Sequence, residues 1–270
     1  MAGFPRVMVG GISVPRLICG TNWFLGYSHT SAAKDRFIKE YFTRDRIADV
    51  LCAFMKYGVD AVMGPTQQIL ADAIQEAQQR TGRKILYICT PGEEKGIAWA
   101  KEHGATFCFP HQCVTDALLD RNTRTIRGIE PWLREIRSCG MVPGLSTHMP
   151  ETIPYADESG IDVESYLQIY NAAGFLCQVE TDWVNQIIRS AKKPVMVIKP
   201  LAAGRLLPPT GLSFVWSTIR PCDMVVIGVM SAYEVEEDVE LSLAILEGRQ
   251  PEVSLQRTRS KFGLVYRPPD

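Results

Sequence analysis

Four side chains able to move protons or hold a metal stand at or just beyond the ends of successive apolar runs. His111 ends Phe109-Pro110-His111, His148 follows the run Met141–Ser146, Glu180 closes Phe175–Glu180 and Lys199 closes Val195–Lys199. Two imidazoles and a carboxylate suit Zn, Mn, Fe or Ni, so His111, His148 and Glu180 form a candidate site for a divalent metal. Such an ion would polarise a carbonyl or hydroxyl and stabilise an enolate. A lysine drawn out of water loses basicity and becomes a general base, an electrophile or a Schiff-base amine, which makes Lys199 the candidate for proton transfer. Catalysis is thus assigned to Lys199, Glu180 and His111. Uncharged polar residues near the same run ends, Asn22, Gln112, Ser146 and Gln178, are candidates to bind substrate. Gly204, Arg205 and the amides at Ser231 are candidates to hold phosphate or another anion. The competing reading is structural: imidazoles bonded to loop backbone, a Lys199–Glu180 ion pair, a glycine turn and a helix cap.

The elements that must position these residues alternate strand with helix. Eight short runs rich in Val, Ile, Leu, Cys and Phe are expected as strands: 16–21, 60–65, 84–90, 105–110, 141–146, 175–180, 195–199 and 224–229. They do not alternate polar with apolar, as suits strands buried on both faces. Between them, Ile47, Val50, Leu51, Phe54 and Met55 mark one apolar helical stripe, with Thr43 to cap it and Gly58 to end it. Further helices are expected from Ile69 to Arg80 before Gly82, and from Glu130 to Ser138 before Gly140. A last one begins at the capping box Ser231-Ala-Tyr-Glu234, with Val235, Val239 and Leu246 on its buried side. Eight such units predict an α/β fold, a single (β/α)8 TIM barrel, ahead of an open doubly wound sheet. A β-hairpin at 6–15, turned by Gly10-Gly11, would plug the bottom of a barrel spanning 16–248, and a Pro/Arg-rich tail, 249–270, would follow over the surface. Chemistry in such a barrel lies at the C-terminal ends of the strands. Three of the four histidines, His29, His111 and His148, would then share one face, with His103 at the opposite end. Trp23, Phe24, Tyr27 and Trp183 are candidates to roof the opening, and the stretch 148–160 to form an ordered lid.

The chain has 270 residues, 29 Lys+Arg against 30 Asp+Glu, and 46% hydrophobic residues. Near-zero net charge gives no electrostatic footprint for nucleic acid and no polybasic membrane patch. No apolar run reaches the roughly 18 residues of a membrane span. The expected partner is a small-molecule substrate, with no nucleic acid and no membrane; a homo-oligomer is compatible with the sequence. The start, Met1-Ala-Gly-Phe-Pro-Arg, has no apolar core of a secretory signal, and the eight cysteines fall mainly in apolar runs with no CxxC pair. That usage fits buried thiols in a reducing, cytoplasmic setting, with one reactive thiol among Cys108, Cys113 and Cys177 as the lesser alternative.

The hairpin followed by Leu17-Ile-Cys-Gly-Thr21 resembles the aldo-keto reductase family. So do Gly58-Val-Asp-Ala-Val62, Gln178-Val-Glu180 as its sixth strand, Pro200-Leu-Ala-Ala-Gly-Arg-Leu206 as the loop after its seventh, and Val226-Ile-Gly-Val-Met-Ser231 with Glu237-Asp238 as its eighth strand and dinucleotide-binding helix. The resemblance implies the same barrel. It also implies an Asp, Tyr, Lys and His catalytic set, of which the corresponding positions here read Met63, no Tyr in Thr66-Gln-Gln-Ile69, Pro91 and His111. Ile198 stands where the family stacks a Tyr on nicotinamide, and Glu234 where it places an Arg for the NADP phosphate. Without Tyr and Lys there is no proton donor for carbonyl reduction, and the acids 234–238 disfavour a phosphate, so NAD(P) is not expected. The sequence therefore predicts a metal- or lysine-assisted isomerase, epimerase or lyase acting on a small polar carbonyl or polyhydroxy substrate. The alternatives are a divergent NAD(P)-dependent oxidoreductase retaining His111, and a non-catalytic small-molecule-binding barrel.

Overall fold

The structure, a computed structural model, describes residues 3–253 and 261. From residue 254 onward, Lys261 apart, the predicted tail lies outside the described residues. The hairpin forms as expected: β1 (Arg6–Val9) pairs antiparallel with β2 (Ile12–Pro15). Gly10 and Gly11 turn it at φ 54° and 80°, the doubly positive turn that matches hairpin twist.

The main sheet is parallel throughout. In chain order it comprises β3 (Leu17–Gly20), β4 (Ala61–Gly64), β5 (Leu86–Cys89) and β6 (Phe107–Cys108). After a small hairpin of β7 (Leu119–Asp120) and β8 (Thr125–Ile126) come β9 (Val142–Pro143), β10 (Leu145–Thr147), β11 (Tyr166–Ile169), β12 (Val195–Ile198) and β13 (Met224–Gly228). β6 pairs with β9, β10 pairs with β11, and β13 pairs with β3. Since β9 and β10 are two halves of one strand interrupted at Gly144, the sheet closes into an eight-stranded α/β barrel. A Cβ on Gly144 would lie 2.5 Å from the Phe109 ring and 2.6 Å from the Ser165 carbonyl oxygen. Only glycine lets Phe109 pack into the barrel at that break.

Among the described residues, ten helices surround the strands: α1 (Ala32–Tyr41), α2 (Arg44–Lys56), α3 (Gln68–Thr81), α4 (Lys95–Glu102), α5 (Gln112–Thr115), α6 (Glu130–Ser138), α7 (Thr152–Ser159), α8 (Thr181–Ser190), α9 (Pro208–Thr218) and α10 (Ala232–Glu247). The caps read from sequence are in place. Thr43 Oγ1 accepts from the Arg46 amide, Ser231 Oγ accepts from the Glu234 amide, and α3 ends on Gly82 at φ 63°. None of the described helices is long and apolar enough to cross a membrane.

Strand residues alternate between two cores, following the two-residue period of β-structure. Ile18, Ala61, Ile88, Phe107, Leu167, Met196 and Val226 fill the barrel interior, and Val9 and Val14 of the hairpin join them as its plug. Leu17, Cys19, Val62, Tyr87, Cys108, Tyr166, Val197 and Val225 face outward, against the helices.

Two expectations are corrected. The sixth barrel strand is Tyr166–Ile169 and not 175–180, which forms the loop leading into α8. The stretch 148–160, expected as a lid, contains α7, the ordinary crossover helix between β10 and β11.

Candidate active site

At the C-terminal ends of the strands the barrel opens into a cavity of about 390 Å³. His29, His111, His148 and Lys199 all line it, together with Asn22, Gln112 and Ser146. Strand alternation explains part of this. Leu167 and Ile198 point inward and form the floor, and Ser146 lies inward on β10. Lys199 follows an inward residue and would ordinarily point outward. Its backbone instead adopts φ 60°, a conformation that costs a non-glycine residue roughly 1–2 kcal/mol. With this reversal its side chain joins the cavity lining.

Lys199 Nζ lies 3.0 Å from His29 Nε2. His29 is also left-handed, at φ 56°. Two strained residues thus meet head to head, and such strain persists only where the surrounding structure over-determines it. Before His29, Ser28 donates from its amide and hydroxyl to Asp35 Oδ1. After Lys199, Arg205 bridges the two loops by donating to the carbonyls of Ala202 and His29 while its guanidinium lies 4.0 Å from the Phe175 ring centroid.

His148 is set by Asp116. The Asp116 carboxylate accepts from the His148 amide at 3.1 Å and from Thr147 Oγ1 at 2.6 Å, which fixes the turn leaving β10. His111 caps α5, accepting from the Cys113 amide, with its Nδ1 3.1 Å from Cys113 Sγ. Cys113 is exposed, whereas Cys108 is buried and Cys177 half-buried.

The electrostatics are those of bases crowded together. Burial pushes Lys199 from 10.5 down to about 8. It also pushes His148 down to about 4, with Lys199, His111 and His29 adding repulsion. His111 is lowered by burial and then by Lys199, and His29 by burial and then by Lys199, against a smaller pull from Asp35. Among the described residues, no carboxylate lines the cavity. At neutral pH the imidazoles are therefore neutral, and Lys199 carries a charge with no acidic partner.

Glu180 and Gln178 do not belong to this site. Glu180 stands at the N-terminus of α8 and Gln178 in the loop before it, both exposed. With the sixth strand placed at Tyr166–Ile169, the metal set His111, His148 and Glu180 is not assembled. Among the described residues no group of three metal-binding side chains is found. The Lys199–Glu180 pair gives way to Lys199–His29. Gly204, Arg205 and Ser231 are likewise not gathered around one point: Arg205 turns to His29, Ser231 spends its hydroxyl on the cap, and Gly204 lines a separate groove. Trp23 and Tyr27 reach the opening, but Phe24 is buried in the outer core and Trp183 is 63% exposed on α8. Sequence reasoning gave His29 no role. Thr66 and Thr90, at the ends of β4 and β5, also line the cavity and were not singled out.

No protein-family model matches the chain, and no curated protein matches it. Solved structures do. A Pseudomonas aeruginosa protein described as an aldo-keto reductase is 15% identical with a TM-score of 0.65, covering 89% of this chain and 95% of its own. An aldo/keto reductase of Brucella melitensis is 12% identical with a TM-score of 0.61, covering 92% and 98%. A glycerol dehydrogenase of Gluconobacter oxydans is 10% identical with a TM-score of 0.58, covering 93% and 99%. The chain has an aldo-keto-reductase-like fold.

The sequence resemblance to aldo-keto reductases raises the expectation of a nicotinamide dinucleotide, and the groove beside Gly204 tests the fit. It is lined by Glu234, Glu237 and Asp238, and among the described residues by no Lys or Arg. The Trp23 indole lies against it: Cβ atoms on Gly228 and Gly204 would be 2.8 Å and 3.3 Å from this ring. Two exposed carboxylates, a buried acid and an indole are poor company for a pyrophosphate. The residues of this groove do not fit a pyrophosphate.

Proposed function

We propose that the protein is an enzyme in which Lys199 carries a proton-transfer reaction, an isomerisation, epimerisation or carbon–carbon cleavage, on a small polar carbonyl or polyhydroxy substrate. The observation that supports this most is the Lys199–His29 contact: an amine of lowered basicity held by two left-handed residues at the mouth of a barrel, with no acid beside it. Unpaired bases favour an anionic or strongly polarised oxygen, so a carboxylate- or hydroxyl-bearing carbonyl compound suits the cavity.

In this reading His111 and His148 donate hydrogen bonds to the substrate oxygen on which charge develops. Lys199 in its amine form removes the proton on the carbon next to the carbonyl, with the C–H electron pair moving onto the carbonyl oxygen as an enolate. For isomerisation the ammonium returns the proton to the former carbonyl carbon while the hydroxyl proton of the first carbon passes to the enolate oxygen; for epimerisation a water on the opposite face protonates the first carbon and the ammonium gives its proton to solvent. His29 Nε2, at hydrogen-bond distance, accepts from an N–H of the amine and so leaves its lone pair free to face the substrate. Asn22, Gln112 and Ser146 would bind hydroxyl groups.

The test is deuterium exchange. Protein is incubated in D2O with a panel of 2-oxo acids, keto sugars and aldoses, and exchange at the carbon adjacent to the carbonyl is followed by NMR. Exchange dependent on the protein and lost in Lys199→Met supports the proposal; exchange unchanged in that variant overturns it. A second reading, a divergent NAD(P)-dependent oxidoreductase, draws on the likeness to reductase structures and on His111 in the lining of the mouth. Fluorescence titration with NADPH separates the two, since saturable micromolar binding favours the second.

A further inference from the structure

The groove that fails to suit a dinucleotide has a chemistry of its own. It encloses about 360 Å³ between the loop after β12 and the start of α10, within the range of small-molecule sites. Its walls are apolar: Trp23, Leu206, Leu207, Pro208 and Met230. Its polar groups are three carboxyls. Glu234 is already engaged, accepting from the Met230 amide as part of the helix cap. Glu237 is exposed at the rim. Asp238 is 2% exposed, lines the groove, and its Oδ1 has no hydrogen-bond partner among the described residues.

A buried carboxyl without a partner costs about 1–3 kcal/mol in lost hydrogen bonding. Asp238 is one helical turn from Glu234 and beside Glu237, so its own helix worsens its position. Burial first, then these two acids, push it up to about 8. A bound group that donates hydrogen bonds and carries positive charge would satisfy Asp238 and relieve the repulsion together. An anion would do the reverse.

We infer that this groove is a binding site for a small organic cation, a primary amine or amidine on an apolar body, with Asp238 as the buried partner of its charged head and Glu237 as the rim contact. The apolar walls receive the body of the ligand, and Trp23 lies where its face can meet the cation or its carbon skeleton. The groove meets the mouth at Trp23, Leu201 and Gly228, which also line a pocket shared with Lys199, but its acids take no part in the reaction proposed there.

The test uses the full-length protein with benzamidine, phenethylamine and spermidine as probes. 2-Phenylethanol serves as the neutral analogue of phenethylamine, and AMP and NADPH serve as anions. Binding is read by calorimetry and by thermal shift. At least one amine or amidine is expected to saturate a single site, with 2-phenylethanol at least tenfold weaker. Asp238→Asn, which keeps shape and relieves the buried acid, is expected to weaken the cation at least tenfold while remaining folded; Glu237→Gln is expected to weaken it less. The inference is overturned if none of the cations binds, if the alcohol binds as well as the amine, or if Asp238→Asn leaves affinity unchanged. Binding of AMP or NADPH that depends on Asp238 and exceeds that of every cation also overturns it.

Discussion

Replacing Lys199 with Met keeps the length of the side chain and removes its charge, so it weighs burial against bonding at the proposed catalytic residue. Burial lowers this lysine from 10.5 to about 8, a displacement equivalent to about 3 kcal/mol against the charged form at neutral pH. The residue is only partly buried, and allowing for water at its head leaves about 2 kcal/mol. Against this stands the lost hydrogen bond to His29, worth about 1 kcal/mol. The variant is therefore expected to be more stable than the parent at pH 7 by about 1 kcal/mol, or about 2–4 °C in Tm for a chain of this size. The sign follows from proton binding. The folded state holds this proton less tightly than the unfolded chain, so the penalty is full below pH 8 and fades as the pH rises toward 10.5. By about pH 9.5 the penalty falls to the size of the lost hydrogen bond and the advantage disappears. Urea unfolding of both proteins at pH 7 and pH 9.5 measures this directly. A variant less stable than the parent at pH 7, or a difference that ignores pH, would refute the electrostatic account of the site.

His148, pushed down to about 4, should show no imidazole protonation by NMR above pH 5. Since the unfolded chain protonates this residue near 6.5, native stability is lost as pH falls from 6.5 toward 4, and His148→Gln should flatten that acid limb. Gly144→Ala should lower stability by about 2 kcal/mol or more, because the added methyl meets the Phe109 ring and the Ser165 carbonyl. Denaturant midpoints measure that loss, and a change under half a kcal/mol would mean that the strand break is dispensable.

Most of the frame was readable because burial on two faces leaves an apolar run, and caps leave a side-chain signature. Thr43, Gly82 and Ser231 end or begin helices as their chemistry requires. The sixth strand escaped for a physical reason. Tyr166–Ile169 carries Gln168, a polar residue that is fully buried, whereas Phe175-Leu-Cys-Gln-Val179 has the composition of a strand and is a loop. In that loop Phe175 lies beneath the Arg205 guanidinium, and Asn171 bonds the Phe175 backbone. That misplacement carried Glu180 and Gln178 with it, and with them the metal. His111, His148 and Lys199 were legible because they follow strands that were found. The Lys199–His29 contact was not, since it depends on two left-handed backbones that no residue type announces: neither position is Gly or Asn.

The absence of a carboxylate among the described lining of the mouth makes any anion that enters its missing counterion. Such a ligand would raise the proton affinity of Lys199 and of the three imidazoles at once, so binding and proton uptake become one event. The empty and loaded protein then differ in charge by more than the ligand brings. A calorimetric binding enthalpy would change with the ionisation heat of the buffer, and the acidity of the surroundings would set how readily the mouth is filled, before any bond in the ligand is broken.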